Sequence, residues 1–277
     1  MEKSPPFAEL AARAARVNQQ LLAAPIIELN GIVSPGGIGA SQAGAGTPWH
    51  LGFELAGWRL DGEPVQTQEL RVRRQIERTE IDAYRKSLPI YSVRRLRVRL
   101  ALQTEFGRPQ AWLEEIVGPV DDAELESRAA QLREPVIHDD PVFGACTLNR
   151  MIKWFDAGGR WMDRRIAVHL SAPDVDALPE VLGHAHAIWA EQARWNQDLI
   201  DRCAADLLAL KNDTWLGDDE TAFTAETFKA RLSLQSLTVE SDGSFSFWFD
   251  DGDLFWGHAI VVGGDLKQGI ARADIAG

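Results

Sequence analysis

Six of the fourteen residues from Phe245 to His258 are Phe or Trp, and they fall on both sides of an Asp251-Gly252 pair. Alternating large apolar residues broken by Asp-Gly are the strongest short-range signal for a β-hairpin. A two-residue turn would pair Asp250 with Asp253, Phe249 with Leu254, Phe247 with Trp256 and Phe245 with His258. One face would then hold Phe245, Phe247, Phe249, Leu254, Trp256 and His258, and the other Trp248, Phe255, Asp250 and Asp253. A chain with this segment must build a sheet with one aromatic face in a core. Asp250 and His258 would point to opposite faces, and only a one-residue bulge would bring them together as an acid–base pair.

The rest of the chain reads as an α+β protein. A helix is expected over 6–24, a short strand over 26–33, and a mobile surface loop over the Gly-rich 34–46. That loop has neither the Gly-x-Gly-x-x-Gly register nor the following helix of a phosphate cradle. Strands are expected over 49–60, 65–76, 92–103 and 110–117, and helices over 77–88 and 121–133. The Pro- and Asp-rich stretch 134–141, with His138 in a solvated hinge, marks a boundary between an N-terminal α+β region (1–135) and a C-terminal α+β domain (136–277). Strands follow over 143–148, 151–157 and 164–171. A long helix runs over 175–211 with Pro179 as a kink, and a short one over 224–232. A meander over 234–240, 244–250, 254–262 and 265–273 ends the chain. The expected architecture is a mixed N-terminal region with an Arg-rich sheet face and an antiparallel meander packed on a long helix.

Charge is uneven. Residues 1–120 carry 15 basic and 13 acidic side chains, whereas residues 121–277 carry 14 and 28. The overall net charge of −12 argues against non-specific nucleic-acid binding, which needs Lys and Arg to neutralise phosphates. Within the first half, Arg95, Arg97 and Arg99 alternate with apolar residues, as do Arg71 and Arg73. If the two strands are neighbours, five guanidinium groups line one face, suited to an anion or an acidic partner. The alternatives are a solvated face balanced by nearby Glu residues, or a face that docks on the acidic half of the same chain. Two cysteines, Cys146 and Cys203, make no disulfide framework and suit a reducing cytoplasm. No apolar run is long enough to span a bilayer, and residues 1–6 do not begin a signal peptide.

Asp140-Pro-Val-Phe-Gly144, Leu148, Trp154-Phe155, Leu210-Lys-Asn-Asp-Thr-Trp-Leu216 and the run from Asp242 to His258 resemble an uncharacterised bacterial family, domain of unknown function 2262. The resemblance covers residues 136–277 and implies no activity, cofactor or catalytic residue. Two functional expectations remain. The first is a cytoplasmic interaction protein whose acidic half meets a basic protein partner, an immunity-type inhibitor being one version. It involves no nucleic acid and no membrane. The second is a hydrolase or small-molecule-binding enzyme built on Asp250, Asp251, Asp253, His258, Trp248 and Trp256, completed by Asn212 and Asp213. A calcium-like reading of the three aspartates fails because the loop lacks Asp/Asn alternation and a Glu at its twelfth position, so no metal site is expected. The residues name no cofactor.

Overall fold

In the computed structural model the chain divides between Glu134 and Pro135 into two compact units. The structure describes residues 7–277 except 43, 45 and 218, with Phe7 and Ala8 described by backbone alone. The expectations for residues 1–6, and for 43 and 45 of the Gly-rich segment, lie outside the described residues.

The first unit opens with α1 (Phe7–Ala23) and closes five strands into a barrel: β1 (Ile26–Gln42), β2 (Trp49–Leu60), β3 (Leu70–Ile76), β4 (Val93–Ala101) and β5 (Gln110–Pro119). Their order around the barrel is β1-β2-β3-β5-β4. All neighbours are antiparallel except β3 and β5, which gives a five-stranded Greek-key barrel of the OB type. A 3-10 turn (Arg78–Glu80) and α2 (Ile81–Ser87) link β3 to β4, and α3 (Ala123–Arg133) follows β5. Leu29, Leu51, Phe53, Leu55, Leu70, Val72, Leu96, Val98 and Leu113 fill the interior.

Two expectations change here. The Gly-rich segment is no loop through residue 42, because β1 runs the whole way to Gln42 and pairs Ile38–Gln42 with Trp49–Phe53. Register shifts at Val33 and Ile38 and the positive φ of Gly37 (61°) bend one strand around two neighbours. That use of bulges and glycine closes small barrels. Second, β3 and β4 are not neighbours, since β5 lies between them.

The second unit is one eight-stranded sheet. Its strands are β6 (Ile137–Asp140), β7 (Gly144–Asn149), β8 (Trp154–Trp161), β9 (Arg164–Leu170), β10 (Ser233–Val239), β11 (Ser244–Asp250), β12 (Ala259–Asp265) and β13 (Gly269–Ala276), lying in sequence order. Only β9 and β10 are parallel, because α4 (Leu178–Ala190), α5 (Gln192–Thr214) and α6 (Ala225–Lys229) cross between them, as a parallel connection requires. Phe155, Val168, Leu237, Phe247 and Ile260 meet Leu182, Ala185, Leu199, Cys203 and Leu207 in one core.

The expected long helix is two helices. Glu191 leaves helical geometry (φ −117°, ψ 32°) and separates α4 from α5, while Pro179 sits in the first turn of α4 rather than kinking it. The expected hinge at 134–141 is partly strand. Asp140 is buried, accepts hydrogen bonds from the Val142 and Phe143 amides at 2.9 Å, and closes the turn into β7.

Candidate functional site

The aromatic hairpin is real, but its register differs from the two-residue turn. Phe249 pairs with Ile260, Phe247 with Val262 and Phe245 with Gly264, leaving residues 251–258 as an eight-residue loop. Phe245, Phe247 and Phe249 are buried as expected, and Trp248 is the partly exposed residue on the other face. Leu254 is buried and Asp250 and Asp253 are exposed, also as expected, but Phe255 and Trp256 are reversed. Phe255 is fully buried and Trp256 is 68% exposed.

The loop's acids hold its backbone. Asp250 accepts from the Gly252 amide at 2.9 Å. Asp251, itself buried, accepts from the Asp253 amide at 3.2 Å and the Phe255 amide at 2.6 Å. Asp253 and Trp256 both have positive φ, 66° and 58°, and both are solvent-exposed. The Trp256 ring lies 4.8 Å from Trp215, at the end of α5, and His258 lies 5.5 Å from the same indole. Phe255 packs edge-on against Trp215 and Phe228.

Asn212 does not join these acids. Its amide clamps the Phe223 backbone, accepting from N at 2.8 Å and donating to O at 3.0 Å, and Asp213 is exposed on the last turn of α5. The strongest polar anchor here escaped the sequence reading. Lys211 is fully buried, with Nζ donating to Glu220 at 2.6 Å and to the Trp215 carbonyl at 2.9 Å beneath the Phe223 ring. Trp215, Glu220 and Phe223, beyond the end of the helix, come back against this lysine.

A second missed group lies on the sheet face turned away from the core. Cross-strand pairing sets Asp156 beside His169, and His169 Nδ1 stands 2.8 Å from the carboxylate. Trp154 stacks on the imidazole at 4.6 Å, and its buried indole nitrogen has no hydrogen-bond partner among the described residues. Nothing in the linear sequence reveals this pair, because it depends on the β8–β9 register. The thiols are inert by contrast. Burial, reinforced by nearby aspartates, pushes Cys146 up to about 11 and Cys203 up to about 12. Among the described residues, no group of three or more His, Cys, Asp or Glu is placed to hold a metal.

The five arginines separate into two sets. On β4, Arg95 reaches Asn30, Arg97 pairs with Glu115 at 3.1 Å, and Arg99 binds Glu114 at 2.5 Å and two carbonyls at the end of α1. Arg71 and Arg73 lie on β3, on the far side of β5, so the five form no single face. Glu54 stands 3.7 Å from Arg71, while two buried nitrogens of Arg73 have no hydrogen-bond partner among the described residues.

Comparison with known proteins finds a match to an uncharacterised family model in each unit. Residues 15–132 match a model described as a domain of unknown function (DUF7021). No curated protein matches the chain. One solved structure found is a chain in "Structure and Conformational Change of a Replication Protein A Heterotrimer Bound to ssDNA". It aligns at 10% identity and a TM-score of 0.28 over 56% of this chain, and this chain spans 40% of that one. Residues 140–275, which contain the aromatic loop, match the model described as an uncharacterized protein conserved in bacteria (DUF2262), so the C-terminal half resembles that bacterial family of unknown function.

Proposed function

We propose that this chain is a cytoplasmic binding protein whose acidic C-terminal unit engages a basic protein partner, with Trp256 as the anchor. The loop 251–258 carries the reading. A positive φ is costly for a bulky side chain, and here it coincides with an indole left 68% exposed. The two acceptor bonds of Asp251 hold the loop in that form instead of letting Trp256 fold inward.

Exposed tryptophans in rigid settings are typical binding anchors, and an indole face attracts Lys and Arg. Residues 135–277 carry 12 basic and 23 acidic side chains, a field that steers a basic partner toward the loop. Exposed Asp253, and Asp213 just before Trp215, supply acids close in sequence to the indole pair. The two free, buried thiols suit a reducing compartment. An immunity-type inhibitor of a basic toxin is one form such a protein takes.

The test is a pull-down from the native host at low salt, with wild type and Trp256→Ala as baits. A stoichiometric basic partner that elutes as salt rises, and that the folded variant loses, is the expected result. Recovery of no stoichiometric partner, or full retention by Trp256→Ala, would sink the reading.

A further inference from the structure

The N-terminal barrel carries basic groups on its β2–β3 face that its acids do not balance. Leu51, Phe53, Leu70 and Val72 point into the core, so strand alternation sends His50, Gly52, Arg71 and Arg73 outward. The β4–β5 connection brings Phe106 and Arg108 to the same place, and Gln110 sits beside Arg71 across the parallel pairing. These residues line a cleft of about 460 Å³, within the range of small-ligand sites.

The charges in the cleft are unequal. One carboxylate, Glu54, serves both Arg108 at 3.1 Å and Arg71 at 3.7 Å. Among the described residues Arg73 has no carboxylate partner, and its buried Nε and Nη2 make no hydrogen bond. Burial, with the adjacent Arg71 charge, pushes its pKa down, as expected of a cation with no counter-charge. Leaving donors of a charged group buried and unsatisfied is expensive.

Backbone shape supports the same point. A Cβ on Gly52 would stand 2.5 Å from Arg71 Nη2, and Gly39 is the cross-strand partner of Gly52. The bare backbone of Gly52 therefore leaves the space that the Arg71 guanidinium occupies. Arg71 and Arg73 are roughly 7 Å apart along one strand face, and Arg108 adds a third fork from the loop. Three guanidinium groups against one carboxylate leave two positive charges, which a phosphate dianion neutralises while accepting bidentate hydrogen bonds. A monocarboxylate would leave one of the two in place.

We propose that this cleft binds a phosphomonoester, gripped by Arg71, Arg73 and Arg108. The site is independent of the Trp256 loop and stands or falls without it. The test is calorimetric titration of the full chain with inorganic phosphate and glycerol 3-phosphate, against chloride at equal ionic strength. Saturable binding at one site is expected. Arg73→Met should weaken it at least about tenfold, the scale of a lost charge-assisted contact. Gly52→Ala, which keeps every charge, should also weaken it by displacing Arg71. Arg97→Met, which removes a guanidinium already paired with Glu115, should leave it unchanged. If Arg73→Met fails to fold by circular dichroism, Arg108→Met, whose side chain is 46% exposed, carries the same expectation. The proposal is overturned if neither phosphate saturates up to the order of 10 mM. Equal losses in Arg97→Met and Arg73→Met, or succinate binding as tightly as phosphate, would overturn it as well. So would tight binding of a thymidine oligonucleotide with no binding of either phosphate, which would reassign the cleft to a nucleic-acid strand.

Discussion

At the scale of single residues, Asp251 and Lys211 do local work that their neighbours in sequence do not announce. Asp251 meets two loop amides at once, so Asp251→Ala should cost about 1–3 kcal/mol, the usual penalty for stranding buried donors. Urea titration followed by tryptophan fluorescence measures the cost, and the same variant should weaken whatever Trp256 binds. A loss of binding without loss of stability would mean that the carboxylate touches the partner itself. Lys211 is fully buried and ties α5 to Trp215 and Glu220. Lys211→Ala removes both hydrogen bonds and the packed stem, at about 2–4 kcal/mol. Lys211→Met keeps most of the stem and should recover part of that in the same denaturation experiment.

At the scale of elements, packing between neighbours decides what local pattern leaves open. The apolar repeat across 175–211 suits one long helix, yet the chain breaks at Glu191 so that two helices can follow a twisted sheet. Trp189, near the end of α4, lies against Gly159 on β8, where a Cβ would come within 2.4 Å of the indole. Gly159→Ala should therefore push α4 from the sheet and cost about 1–3 kcal/mol by overpacking. A lowered urea midpoint with a red shift in native-state tryptophan emission is the expected readout. An unchanged midpoint would mean the indole has room to turn. In the barrel, α3 is fixed at its start by Asp122, which caps the Leu125 amide and takes a two-pronged contact from Arg59 at 2.7 and 2.9 Å. Asp122→Ala removes the cap and leaves Arg59 with Glu124, at 3.0 Å, as its remaining acid, an expected loss of about 1–3 kcal/mol.

At the scale of the whole molecule, pH acts through a few buried acids. Burial alone would raise Asp122, Asp140 and Asp206. Bonds from Leu125 and Arg59, from Phe143, Val142 and His186, and from Ala273 and Arg202 outweigh it, so all three sit below the ordinary carboxylate value. Groups with a depressed folded pKa add stability that is full above the unfolded value, about 3.9. It is lost as pH falls through the folded value. Between pH 7 and the isoelectric point near 5.0, relief of self-repulsion offsets any early loss. The urea midpoint should stay level or rise slightly over that range, then fall below about pH 4. Asp122→Asn should make the acid fall shallower, and a midpoint that climbs steadily to pH 3 would contradict the assignment.

The sequence by itself determined the α+β class, the burial of Phe245, Phe247 and Phe249, and the outward parity of Arg71 and Arg73. Each follows from period-two alternation, which any sheet must obey. It also carried the resemblance of the C-terminal half to an uncharacterised bacterial family, through motifs that need no fold to be read. Tertiary structure alone decided the register. Asp251-Gly252 is a strong local turn signal, but Ile260 and Val262 fill the space opposite Phe249 and Phe247, so the turn opens into a loop that exposes Trp256. The same holds for the arginines. Parity put all five outward, but β5 enters between β3 and β4, so Arg97 and Arg99 meet its acids while Arg73 Nε and Nη2 have no hydrogen bond among the described residues. Strand order and strand register are long-range choices, set by which contacts fill a core, and a local pattern carries no record of them.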